Sequence, residues 1–92
     1  MARILVVDDD EGVRSFIAEA LEMDNHTLTQ AQSGEEALSI LKNQSYHLMI
    51  TDLRMPGQGG LALLQKARSE WPEMETLVLT AYGTVQSAVE AM

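Results

Sequence analysis

The sequence predicts an α/β fold, a parallel sheet with helices packed on its faces. Three observations carry that expectation. Short runs dominated by branched apolar residues, Ile4-Leu5-Val6-Val7, His47-Leu48-Met49-Ile50 and Leu77-Val78-Leu79-Thr80, have the length and composition of strands buried on both faces. Between them, apolar residues recur at the spacing of amphipathic helices. The two patterns alternate along the chain, and strands that alternate with helices pair in parallel through helical crossovers.

Each element has its own local signals. The first strand stops abruptly at Asp8-Asp9-Asp10. Val13, Phe16, Ile17, Ala20 and Leu21 then form a helical stripe, with Asp10 as N-cap, acidic residues in the first turn and Asn25 as a stop signal. His26-Thr27-Leu28-Thr29-Gln30-Ala31 alternates weakly and is more polar, as an edge strand should be. Ser33-Gly34-Glu35-Glu36 has the form of a capping box and opens a second helix with Ala37, Leu38, Ile40 and Leu41 on its apolar side. The third strand is read as His47 to Ile50, with Asp52 just past it, and Pro56, Gly57, Gly59 and Gly60 mark the loop after Asp52. Leu61, Leu64 and Ala67, flanked by Leu63, make the third helical stripe, which Trp71-Pro72 stops. After the fourth strand, Ala81-Tyr82-Gly83 turns the chain and Val85, Ala88 and Val89 begin a fourth helix.

At 92 residues the chain has room for one domain and one modest core. Its formal charge of −8, with six scattered Lys and Arg, argues against a direct nucleic-acid surface and favours cations or basic protein faces. There is no Cys, which excludes disulfides and thiolate metal sites and fits a reducing compartment. The early apolar run is too short for a signal peptide or a membrane span, so a soluble, cytoplasmic protein is expected.

Ligands and substrates of parallel sheets bind at the carboxyl ends of the strands. That rule brings Asp8-Asp9-Asp10, Asp52 and Thr80 together from distant parts of the chain. Carboxylates crowded at one mouth need a partner that offsets their repulsion, and Mg²⁺ does so with one or two carboxylates while keeping sites for water and phosphoryl oxygens. A carboxylate there can also act as a nucleophile toward phosphorus, forming an acyl phosphate, with Thr80 donating to a phosphoryl oxygen. Plainer roles stand beside these: the three Asp can stop a strand and cap a helix, Asp52 can be a turn residue, and Thr is common in strands. His26 and His47 fall near strand starts, at the rim opposite the carboxylates, and are not read as ligands. The six Met residues are read as gap fillers or surface residues.

With those residues placed, the sequence resembles a response-regulator receiver domain of two-component signalling. Ile4 to Asp10 is similar to the family's first strand and acidic pocket, Asp52-Leu53-Arg54-Met55-Pro56-Gly57 to its phosphoacceptor loop, and Leu77 to Gly83 to its switch strand. Thr80-Ala81-Tyr82-Gly83-Thr84-Val85, followed by Ala88-Val89-Glu90-Ala91-Met92, resembles receivers of nitrogen-regulatory (NtrC-type) transcription activators. The resemblance implies phosphorylation of Asp52 by a sensor histidine kinase. It also implies a Mg²⁺ site made by Asp8, Asp9, Asp52 and the Arg54 backbone carbonyl, and Thr80 as the switch hydroxyl. An output domain is implied in a parent transcription regulator, so the chain is a signalling phosphoacceptor that assists its own phosphoryl transfer rather than an enzyme.

The implied fold is a flavodoxin-like doubly wound parallel sheet. It is expected as one domain over residues 1–92, cut to about four strands in order 2-1-3-4 with four helices and lacking the family's fifth strand and helix. Lys42 and Lys66 lie on earlier helices and match neither the family's Lys nor its position. Right-handed crossovers put the first helix on one face and the later ones on the other. One face of the third and fourth strands is then expected to be poorly covered, and self-association, as a dimer or swapped oligomer, follows as an alternative main behaviour. A remoter alternative is enzymatic, since Asp8-Asp9-Asp10-Glu11 loosely resembles the Asp-x-Asp motif of haloacid-dehalogenase-type phosphatases.

Overall fold

Strand and helix alternate without a break through β1 (Arg3–Val7), α1 (Glu11–Glu22), β2 (Thr27–Ala31), α2 (Gly34–Asn43), β3 (Leu48–Asp52), α3 (Gly59–Glu70) and β4 (Glu75–Leu79). The structure, a computed structural model, describes residues 2–53 and 59–79. The expected fourth helix around Val85, Ala88 and Val89, the residues Arg54 to Gly57, and Thr80 lie outside the described residues. All strand pairs are parallel, in the order β2-β1-β3-β4, as expected of a doubly wound sheet.

Local chemistry accounts for the element ends. The Asp10 carboxylate accepts the Val13 N–H at 3.1 Å and caps α1, and Asn25 takes a left-handed φ of 64° just past that helix. Ser33 caps α2 by accepting the Glu36 N–H at 3.1 Å. Strand starts shift by one residue in β1, β2 and β3, and two boundaries differ by two residues from the sequence expectation. β3 runs on through Asp52, and β4 begins at Glu75, because the parallel ladder pairs Leu48 with Glu75 and Asp52 with Leu79. Hydrogen-bond register, which local hydrophobicity does not encode, set those ends.

The pleat divides the apolar residues between two clusters. Leu5, Val7 and Met49 meet α2 and α3 through Ala37, Leu38, Leu41, Leu63 and Ala67. Ile4, Val6 and Ile50 meet α1 through Ile17 and Leu21 on the opposite face. The right-handed crossover rule thus assigned the described helices to the correct faces. Two helical stripes are rotated relative to expectation. On α3, Gly60, Leu63, Leu64 and Ala67 face inward while Leu61 is exposed. On α1, Ala18, Ile17 and Leu21 turn toward the sheet, whereas Phe16, 74% exposed, and Ala20 lie on the outer flank. An apolar arc wider than the contact leaves one edge in solvent. Leu77 is 50% exposed on β4, the edge strand among the described residues, while its neighbour Ile50 is buried. The poor cover expected for this face is therefore confined to β4 and does not reach the middle of β3.

α3 approaches the end of β3 closely at Gly60. A Cβ on Gly60 would lie 1.9 Å from the Asp52 carbonyl oxygen, and the Gly60 N–H donates to the Leu53 carbonyl at 3.3 Å. No side chain fits there without moving the end of β3. Gly60→Ala is expected to destabilise the chain by about 2–3 kcal/mol, the cost of overpacking against backbone that cannot yield. Urea unfolding would measure it, with Gln65→Ala on the exposed side of α3 as the neutral comparison.

Candidate functional site

Four elements converge at the carboxyl edge of the sheet. β1 ends one residue before Asp8, whose N–H is tied to β2 by donating to the Ala31 carbonyl at 3.1 Å. The Asp8 carboxylate accepts the Asp10 N–H at 2.9 Å, which folds the chain back sharply and leaves Asp9 exposed at the corner. Asp52 is the last residue of the neighbouring strand β3. Its carbonyl accepts the buried Thr51 hydroxyl at 3.3 Å, and the following Leu53 N–H donates to the Leu79 carbonyl at 3.2 Å. The Asp52 backbone is thus clamped between β4 and α3, while its side chain is half-buried at the mouth.

Asp8, Asp9 and Asp52 each offer a carboxylate oxygen within 4.8 Å of the others. Asp8 is buried and Asp9 exposed, so the group spans from sheet edge to solvent. Burial pushes the Asp8 carboxyl above the ordinary aspartate range. The Asp10 N–H opposes that rise, and the Asp52 charge, a side-chain hydrogen bond with Asp9 and the Asp9 charge add to it. A donor set made only of carboxylate oxygens, one of them paying a desolvation cost, suits a small hard divalent cation such as Mg²⁺ and suits neither soft nor thiolate-preferring metals.

The sequence-predicted residues separate into distinct roles here. Asp8, Asp9 and Asp52 come together, whereas Asp10 turns its carboxylate to the α1 N-terminus and is structural. As Asp10 would supply the second acid of a phosphatase-like Asp-x-Asp pair, that resemblance loses its partner. Arg54 and Thr80, the other expected site residues, lie outside the described residues. Lys42 is in the last turn of α2, away from the carboxyl edge, and Lys66 pairs with Glu70 at 3.9 Å along α3. His26 and His47 sit at the far end of the sheet, where their Nδ1 atoms accept the Ala2 and Arg3 N–H groups at 3.1 and 2.9 Å.

Two residues beside the site were not expected to belong to it: Arg14 carried no role, and Gly60 was read as a loop residue but lies in the first turn of α3. Gly60 admits α3 to the Asp52 backbone, and its signal was a Gly-Gly pair where one helix-start glycine suffices. Arg14 donates from Nη1 to the Asp8 carbonyl at 2.7 Å, and its signal was a cation placed between apolar residues of the α1 stripe.

The family model for the response regulator receiver domain matches residues 4–92. The chain belongs to the response regulator receiver family. Among NtrC-type relatives, this receiver is 38% identical over 91 residues to the response regulator protein FleR of Pseudomonas aeruginosa, covering 99% of the chain and 19% of FleR. It is 34% identical over 88 residues to the DNA-binding transcriptional regulator NtrC of Salmonella typhimurium, covering 96% of the chain and 19% of NtrC. The receiver thus spans about a fifth of the length of these curated relatives. Among solved structures, the response regulator TrrA of Thermotoga maritima, in complex with Mg(2+)-BeF, superposes with a TM-score of 0.89 at 35% identity, covering 99% of the receiver and 81% of TrrA. No helix among the described residues is long and apolar enough to cross a membrane.

The raised Asp8 pKa has a definite consequence for stability. Between the ordinary aspartate range and the raised folded-state value, the folded receiver holds the Asp8 proton more tightly than the unfolded chain does. Stability from this group therefore falls as pH rises through that window. In metal-free buffer Asp8→Asn is expected to melt above the wild type at pH 7, with the gap closing as pH falls toward the unperturbed aspartate range. Thermal unfolding across pH would check this, and added Mg²⁺ should narrow the gap at pH 7 by stabilising the wild type alone.

Proposed function

We propose that Asp52 is the phosphoacceptor of this receiver and that a sensor histidine kinase is its phosphodonor. The observation that carries the proposal is the meeting of Asp52, from the end of β3, with Asp8 and Asp9 from the end of β1 within a 4.8 Å group. An Asp52 carboxylate oxygen attacks the phosphorus of the donor phosphohistidine. A new O–P bond forms, the N–P bond breaks, and the imidazole nitrogen leaves with the electron pair and takes up a proton from solvent. The product is an aspartyl phosphate.

Asp8, Asp9 and Asp52, with the Arg54 backbone carbonyl, are the residues that would hold Mg²⁺. When bound, the ion supplies charge neutralisation at the transferring group. The all-oxygen donor set supports this, as does the Mg(2+)-BeF complex of the TrrA relative. Asp8 and Asp9 also keep the mouth strongly negative, so an approaching phosphoryl group is repelled until a cation is present. Thr80 is proposed as the hydroxyl that donates to the phosphoryl oxygens and carries the change of state onward. Residues 1–92 form the receiver unit, and its readout is an output domain of a cytoplasmic transcription regulator, in keeping with the NtrC-type relatives. Incubation with Mg²⁺ and a small phosphodonor such as acetyl phosphate should add one phosphoryl mass to the wild type and none to Asp52→Asn. Unmodified wild-type protein under all donor conditions would overturn the proposal.

One observation favours self-association as a second behaviour. Phe16 is 74% exposed on α1, and Leu77 is 50% exposed on β4, an edge strand among the described residues. Exposed apolar side chains and an edge strand are surfaces that a second copy of the chain would cover. Light scattering should show the average mass rising with protein concentration, and Phe16→Ser combined with Leu77→Ser should hold it at the monomer value.

A further inference from the structure

Arg14 occupies an unexpected place on α1. At 3.6 residues per turn it falls between Leu21 and Ala18, on the arc that faces the sheet. Arg14 is half-buried there, so its guanidinium lies beside protein groups at the sheet edge. Two of them accept from it. Its Nη1 donates to the Asp8 backbone carbonyl at 2.7 Å, and its Nε donates to the Gln30 side-chain oxygen on β2 at 3.3 Å.

The Asp8 carbonyl is where such a partner is needed. The β1–β3 ladder ends at the Val7–Thr51 pair, so Asp8 lies one residue beyond it. Its N–H is held by β2 and its carboxylate by the Asp10 N–H. With Arg14 on the carbonyl, the residue is gripped at three points, by a strand, a turn and a helix. We infer that Arg14 is a positioning residue that locks the β1–α1 corner and so sets where the Asp8 and Asp9 carboxylates stand relative to Asp52. The grip acts through the Asp8 backbone, leaving the carboxylate oxygens available, and its charge-assisted bond stiffens a corner whose acidic groups otherwise push apart. The consequence for metal binding rests on the Mg²⁺ site proposed above; the consequence for the corner does not.

The test compares the wild type with Arg14→Ala, Arg14→Lys and Gln30→Ala in the full 92-residue chain, using two measurements. In metal-free protein, amide hydrogen exchange is read at Asp10, whose N–H reports the folded corner, against core amides such as Met49. Arg14→Ala should exchange several-fold faster at Asp10 with the core amides unchanged. Arg14→Lys, which keeps one donor for the carbonyl, should recover part of that protection, and Gln30→Ala should lose little. By calorimetry, Arg14→Ala should bind Mg²⁺ about tenfold more weakly, the scale of loss when outer partners of metal ligands are removed. Arg14→Lys should again be intermediate. Unchanged Asp10 exchange in Arg14→Ala overturns the inference, as does faster exchange spread equally over the core and not recovered by Arg14→Lys. If the wild type itself takes up no Mg²⁺, the proposed metal site falls, while Asp10 exchange still decides the role of Arg14.

Discussion

Like charge held at close quarters is the constraint to which the rest of this molecule answers. Asp8, Asp9 and Asp52 offer carboxylate oxygens within 4.8 Å of one another at the ends of two adjacent strands, and like charges so placed repel. A flexible loop would relieve that repulsion by spreading. The receiver prevents it by hanging the carboxylates on the ends of central strands, where backbone hydrogen bonds and a buried core fix the spacing. Burial, with the neighbouring charges adding to it, raises the Asp8 pKa, and the proposed Mg²⁺ would offset both.

The core on the α2–α3 face does most of the holding. Leu5, Val7 and Met49 are enclosed there by Leu63, Leu41 and Ala67, which sets the height of β1 and β3 against each other. Gly60 brings α3 into direct contact with the Asp52 backbone, and the Thr51 hydroxyl closes the same peptide from the buried side. The other face is more lightly built. Ile4, Val6 and Ile50 lie under α1, but the apolar arc of that helix extends past the sheet at Phe16, and β4 shows Leu77 to solvent. The first face thus holds the ends of β1 and β3, while the second presents apolar surface and reaches the site through Arg14 at the β1–α1 corner.

Family membership and physical argument meet at the same residues. The receiver match covers nearly the whole chain, and the TrrA relative superposes closely. The three carboxylates that the strand-end rule selects are the ones the fold brings together. Arg14 shows what such a match leaves open. Its two bonds explain why a cation sits in the apolar stripe of α1, and they join that helix to the corner bearing two of the three carboxylates.

By itself the sequence determined the element order, the parallel sheet, the caps at Asp10 and Ser33, the stop at Asn25 and the acidic character of the strand ends. These follow from interactions among residues a few positions apart: helical and strand periodicity, side-chain caps and turn chemistry. Only the tertiary structure decided which aspartates face one another and which one caps a helix. It also decided that Leu63 rather than Leu61 enters the core, that Phe16 stays outside, and that β4 begins at Glu75. Those outcomes depend on the register of strands far apart in sequence and on the rotation of each helix over the sheet. Both are set by packing against partners that no local stretch of the chain contains. Gly60 marks the boundary between the two kinds of information: its identity is written in the sequence, but its reason is the Asp52 carbonyl on another element.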